Sequence, residues 1–417
     1  MRFDTVVGNI DVELFPDRAP KTVANFLRYV QRGDYDNTIF HRSVRNFIIQ
    51  GGGYKWQNGQ ATVIPEDAPV ENEYRISNTR GTIAMAKLDG DPNSATSQWF
   101  FNTANNGEAL NGQNGGFTVF GRVASQASLS VMARIASLPI DPSNETPLLA
   151  PGALTDDTVV LVRSIRLIPF VSANGVITAG DFGGSSSAAP GSFIEIYGTN
   201  LSPETRTWSG ADFVNGKAPT SLGEVTVSIN DKPAYVYFVS EKQVNVQVPE
   251  GVTAGETVDV VVTSKGQASA AGRLPIKALA GGLFAKASFK VDGRQYVVAT
   301  RSDGSYVSNG RIPDLPASPA VPGETIVLYG TGFGPVGSAP VAGQIVRGPT
   351  DITAPLRINI GDTEARVDYK GLVPDLVGLY QFNVVVPPGA QTGDLPVTVT
   401  LGTETLGQVL YLPVQQR

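Results

Sequence analysis

The chain has 417 residues, more than one hydrophobic core ordinarily supports, so two or three domains are expected. Its 32 Lys and Arg are outnumbered by 38 Asp and Glu, for a formal net charge of -6, and no basic cluster offers a footing for nucleic acid. With no cysteine and a single histidine, it excludes disulfides, zinc–thiolate sites, thiol catalysis and multi-histidine metal sites.

No run of about 18 apolar residues suggests a membrane span. The opening "MRFDTVVGNIDVELF" alternates like a strand rather than a signal peptide. The chain is therefore expected to be the mature part of an exported protein, periplasmic or secreted, with a cytoplasmic protein as the other reading. Gly 46 and Pro 29 indicate many turns and a mainly β architecture.

In chain order, Gly8-Asn9 between two alternating runs predicts a hairpin turn. "APKTVANFLRYVQRG" predicts a helix, with Pro20 in its first turn, Gly33 at its end, and Val23, Phe26, Leu27 and Val30 on one face. "TIFHRSVRNFIIQGGG", residues 38–53, sets polar groups into an apolar run, including the only histidine, His41. The three glycines read as a turn; a phosphate cradle is not expected, because no Lys-Ser/Thr follows. "SLSVMARIASLP" predicts a second helix and "DTVVLVRSIRLIP" a closing strand. "FVSANGVITAGDFGGSSSAAPGS" is rich in Gly, Ser and Ala, and reads as a linker.

The remainder repeats itself. "APGSFIEIYGTNLSP" (189–203) matches "VPGETIVLYGTGFGP" (321–335), and each is followed by an N-V-x-V-P segment and a valine-rich strand. Two copies of a unit of roughly 100 residues suit tandem sandwiches. The expected division is 1–170, a linker at 171–187, then 188–280 and 281–417.

The segments "GNIDVELFPDRAPKTVANFLRYV", "YDNTIFHRSVRNFIIQGGG", "NTRGTIAMAK", "DPNSATSQWFFNT" and "GGFTVFGRV" together resemble the cyclophilin family of peptidyl-prolyl cis-trans isomerases. The resemblance implies an eight-stranded antiparallel barrel capped by two helices, and rotation of X-Pro bonds in proline-containing polypeptides without metal or cofactor. It assigns catalysis to Arg42, with Gln50 orienting the arginine and touching the substrate. Phe47, Ile48, Phe100 and Leu110 correspond to the proline pocket. Met85, Ala86 and Lys87 correspond to the strand that pairs with the substrate, and Gln98 to a second site glutamine. Ala109 and Phe117 stand at rim positions where the family often has tryptophan and histidine, so cyclosporin-type ligands are expected to bind weakly. His41, on the other face of an alternating strand, is expected to be structural. A non-catalytic, proline-directed binding module is the alternative.

The two repeats resemble the immunoglobulin-like IPT/TIG units at the C-termini of exported bacterial proteins, especially acidobacterial ones. That resemblance implies a structural spacer, or a module recognising a protein or polysaccharide partner through aromatics such as Trp208, Phe213, Tyr235 or Tyr369. The fold class expected is thus mainly β: a capped barrel followed by two tandem sandwiches.

Overall fold

The computed structural model describes residues 1–180, 185–312, 315, 317–337 and 342–416. The chain divides into two compact units, Met1–Leu167 and Ile168–Arg417.

In the first unit, β1 (Arg2–Thr5) and β2 (Gly8–Leu14) pair with Thr5 opposite Gly8, so the hairpin turns at Val6-Val7, earlier than Gly8-Asn9. The Thr5 hydroxyl closes this turn. It donates to the Gly8 carbonyl at 2.6 Å and accepts from the N–H groups of Val7 and Gly8, each at 3.1 Å. Val7 is buried under a helix, and a Cβ on Gly8 would lie 2.9 Å from Val131 Cγ2. The apolar turn is thus stabilised by packing, which outweighs the local preference for Asn-Gly chemistry.

The strands continue as β3 (Thr38–Val44), β4 (Ile48–Gln57), β5 (Gln60–Val63), β6 (Thr82–Met85), β7 (Trp99–Asn102), β8 (Val119–Val123) and β9 (Leu161–Arg166). Their order is β3-β9-β1-β2-β8-β6-β7-β4, and β4 pairs back onto β3. This closes an eight-stranded antiparallel barrel with no free edge. β5 hangs outside the ring as a hairpin on β4.

Two helices cap the barrel. α1 (Pro20–Arg32) ends at Gly33 with φ 72°, as its sequence predicts. Its N-cap, Ala19, offers no side chain. The Glu73 carboxylate accepts from the N–H groups of Lys21 and Thr22 instead, at 3.2 and 2.8 Å. After the one-turn α2 (Gly107–Leu110), α3 (Gln126–Ala136) starts where the Ser125 hydroxyl accepts from Ser128 N–H. Inside the barrel, Trp99 meets Phe3, Phe40 and Phe101 edge-on at 5.0–5.5 Å. Each such contact contributes about 0.5–1.5 kcal/mol beyond area burial.

In the second unit, β10 (Phe170–Thr178) is a strand, although residues 171–187 read as a linker from composition; residues 181–184 lie outside the described residues. It pairs with β11 (Phe193–Thr199), and its Val176 joins the first sandwich core, so pairing and burial override its Gly/Ser/Ala character. β11 continues to strands Gln243–Gln247 and Tyr235–Val239. A second sheet built on Val225–Ile229 and Thr257–Ser264 completes this sandwich. Further along, Thr325–Thr331 pairs with Tyr380–Val385, which pairs with Thr363–Leu372, over a core containing Phe333 and Phe382.

Candidate active site

The site begins with an irregularity in β3. Phe40 pairs with Gly51 and Arg42 with Gln50, so His41 is an extra residue in a β-bulge. Simple alternation therefore does not separate His41 from Arg42. The bulge does, as such insertions re-aim side chains beside functional sites. The triple glycine belongs to β4 rather than to a turn. A Cβ on Gly51 would sit 2.7 Å from Trp99 Cη2, and one on Gly52, which has φ 80°, 2.6 Å from Trp99 Nε1. The glycines let the indole lie against the strand.

Arg42 does not hydrogen-bond to Gln50, although the two are register partners. Its Nε donates to Glu145 Oε2 at 2.8 Å. Glu145 sits in a loop clamped onto β3: Ser43 N–H donates to the Glu145 carbonyl at 2.8 Å, and the Thr146 hydroxyl to the His41 carbonyl at 2.9 Å. The backbone of Glu145 is left-handed, with φ 61°. Gln50 instead donates from Nε2 to Gln98 Oε1 at 2.9 Å. The physical reason is competition: a carboxylate beats a neutral amide as an acceptor for guanidinium.

Beside this polar line lies a separate apolar cluster. Ile48, Phe100 and Leu110 are buried in it, with Phe47, Ala86 and Phe117 packed at its margin. Phe117 meets Phe100 edge-on at 5.7 Å, so this expected rim residue packs against the apolar cluster. Ala109 is exposed. Met85 is different: its side chain belongs to the barrel interior. The N–H groups of Met85 and Ala86 already donate to Thr118 and Gln98 carbonyls, so a substrate pairing here must use other atoms of this strand. Lys87 turns inward, donating to the Asn114 and Gly116 carbonyls at 2.7 and 2.8 Å, with its ammonium 4.8 Å from the Phe117 ring centroid. Burial lowers its pKa.

His41 packs edge-on against Tyr54 at 5.0 Å. Burial, then the neighbouring Arg42 charge, brings its pKa down to about 4, so it is neutral near pH 7. Its Nδ1 has no hydrogen-bond partner among the described residues.

Sequence reasoning missed two supports. One is Glu145, 103 positions from Arg42 in a loop without a local signature. The other is an asparagine network beside the apolar cluster. Asn106 donates to the Phe47 carbonyl at 2.7 Å and to Asn102 at 2.8 Å, Asn102 donates to Asn78, and Asn78 to the Phe117 carbonyl. The one visible signal was Asn102 ending the apolar run "WFFN".

A family model for cyclophilin type peptidyl-prolyl cis-trans isomerases matches residues 1–151. A peptidyl-prolyl cis-trans isomerase of Acinetobacter baylyi is 42% identical over 139 residues, covering 32% of this chain and 70% of that protein. Peptidyl-prolyl cis-trans isomerase B of Escherichia coli is 43% identical over 129 residues, covering 29% of this chain and 75% of its own. Isomerase A of Dickeya dadantii is 43% identical over 167 residues, 39% of this chain and 82% of that one. The closed barrel, its two caps and these relatives define the class: the chain belongs to the cyclophilin type peptidyl-prolyl cis-trans isomerase family, and is an enzyme of that class. More particularly, it joins the isomerase to a domain of another kind, since an IPT/TIG model matches residues 184–275.

Proposed function

We propose that Arg42 and Gln50 drive X-Pro rotation in polypeptides whose proline ring seats against Phe47, Ile48, Phe100, Leu110 and Phe117. Amide resonance sets a barrier of about 18–20 kcal/mol, and no bond breaks, so no nucleophile is needed. As the amide twists, the prolyl nitrogen becomes pyramidal and its lone pair can accept a hydrogen bond. A permanently charged planar donor suits that moment.

The observation that carries this reading is the placement of Arg42. The bulge aims it, Glu145 holds its Nε, and its Nη groups make no hydrogen bond among the described residues, leaving them for the substrate. Gln50, steadied by Gln98, holds the substrate backbone, and the strand 85–87 lies alongside it. A hydrogen bond to a charged group is worth about 1.5–3 kcal/mol, whereas a 10⁵-fold acceleration needs about 7. The preorganised apolar pocket supplies the remainder.

The substrates in this reading are exported or surface proteins during folding, in a periplasmic or extracellular setting. Residues 188–280 and 281–417 serve as two IPT/TIG-like domains that position the enzyme of residues 1–170. The repeated sequence supports this, as does the recurrence of one three-strand pairing in both halves of the second unit. The test is a protease-coupled proline-isomerisation assay of wild type and Arg42→Ala, with fractionation of the native cells to locate the protein. Equal rates in the two proteins overturn the catalytic assignment, and recovery from the cytoplasm overturns the setting.

A further inference from the structure

The four aromatics that sequence singles out in the repeats do not share one fate. Tyr235 is buried, and the Tyr369 hydroxyl donates to the Leu372 carbonyl in the second repeat. Trp208 and Phe213 pack together at 5.2 Å and line a cleft of about 1000 Å³ in the second unit.

One wall of this cleft is the outer face of the first sandwich. Along β11, Ile194 and Ile196 face the core, so Phe193, Glu195 and Tyr197 face the cleft. A bulge in the strand Tyr235–Val239, between Val236 and Phe238, adds Tyr237 to the same face. The Trp208 ring is 5.0 Å from Tyr237 and 6.2 Å from Phe193, and Tyr237 is 5.9 Å from Phe193. Phe284 and Leu376 stand among the apolar residues of the remaining lining.

The charged groups of this cleft form no ion pair with one another among the described residues. Glu195, directly opposite Asn245 in register, accepts from the Tyr197 hydroxyl at 2.6 Å and pairs with no basic side chain among the described residues. Burial raises its pKa above the ordinary carboxylate range. Lys286, also in the lining, has its ammonium between the Phe289 and Tyr306 rings, 5.8 Å from each centroid. Asp375, the other acid there, is matched by Arg347 at 3.3 Å.

A carboxylate that is partly desolvated among ring faces is stabilised by a cation, and the same faces attract that cation. We propose that the cleft binds an organic cation, an alkylammonium or guanidinium group on an apolar stem, with its charge at Glu195 and the rings of Trp208 and Tyr237. An arginine or lysine side chain of a peptide and a free amine share this chemistry. The stem lies along Phe284 and Leu376, as long cationic side chains cover apolar surface. At Glu195 an anion is repelled, and a neutral sugar gains nothing from the unpaired carboxylate.

The test is titration of the full chain, followed by calorimetry and NMR, with tetramethylammonium, arginine amide and acetyl-Leu-Arg-Leu-amide. Cellobiose is the neutral control. Binding of all three cations supports the proposal with the charge alone sufficient, and binding of the tripeptide only supports it with a peptide as source. In either case Glu195→Gln weakens binding by about tenfold or more. In the wild type, where folding is not in question, added salt and acid that protonates Glu195 weaken it too. Absence of binding by every cation, unchanged affinity in Glu195→Gln, or preference for cellobiose overturns it.

Discussion

Glu145 makes a stability–activity trade testable at one position. It holds Arg42 by a single charge-assisted hydrogen bond of 2.8 Å, but does so from a left-handed backbone, φ 61°, that glutamate adopts at a cost. That conformation costs a non-glycine residue about 1–2 kcal/mol, and asparagine tolerates it better. Glu145→Asn should therefore stabilise the protein by up to about 1 kcal/mol, which for a domain of this size is a rise of about 2–4 °C in Tm. The ion pair is modest, because the two side chains are 42% and 47% exposed. Such pairs are worth about 0.2–1 kcal/mol. If that energy steadies the guanidinium during rotation, kcat falls by about 1.4- to 5-fold with KM unchanged. Glu145→Gln, which keeps the backbone strain and the reach, should lose rate without gaining stability. Thermal unfolding and steady-state isomerisation, at low salt and again at high salt, read both quantities. High salt should narrow the difference in rate. A rate that rises in either variant, or an effect confined to KM, refutes the positioning role.

Other perturbations give equally direct outcomes. His41 has its pKa lowered from 6.5 to about 4, so between those values the unfolded chain binds a proton that the folded chain does not. Stability should fall as pH drops through that window and be full above it; His41→Phe should flatten this slope in urea midpoints, while the isomerisation rate stays level from about pH 7 to 8 in both proteins. Gly52→Ala, at φ 80° and with a Cβ 2.6 Å from Trp99 Nε1, should destabilise by at least about 1–3 kcal/mol, and an unchanged denaturation midpoint contradicts the packing role given to the glycines. Phe100→Ala opens a cavity in the buried apolar cluster of Ile48 and Leu110 and should cost about 3–5 kcal/mol of stability, read from the urea midpoint. Cyclosporin-type ligands should bind weakly at the rim where Phe117 lies under Lys87, and nanomolar affinity in a titration contradicts this.

What was legible in the sequence follows the range of the interactions involved. α1 could be read from Pro20, Gly33 and its apolar face because helix signals are local. The barrel came through a resemblance spread over the first 170 residues, as did the expectation of a proline pocket at Ile48, Phe100 and Leu110, three residues that lie in one buried apolar cluster. The turn at Val6-Val7 could not be read, because burial under α3 fixes it. The bulge at His41 was equally hidden: it is a mismatch of register between two strands, and either strand alone alternates acceptably. Glu145 reaches Arg42 only after the loop folds back onto β3, so no spacing announces it. Composition misplaced β10 because Gly, Ser and Ala resemble a linker until Val176 finds its core.

In the proposed function Arg42 favours the twisted amide, beyond any part it plays in binding proline. Exchange NMR on a saturating X-Pro peptide measures rotation on the enzyme separately from affinity. Arg42→Ala should slow on-enzyme exchange by roughly 10- to 150-fold, the equivalent of about 1.5–3 kcal/mol, while peptide affinity changes little. Exchange as fast as in the wild type, at equal occupancy, contradicts the account.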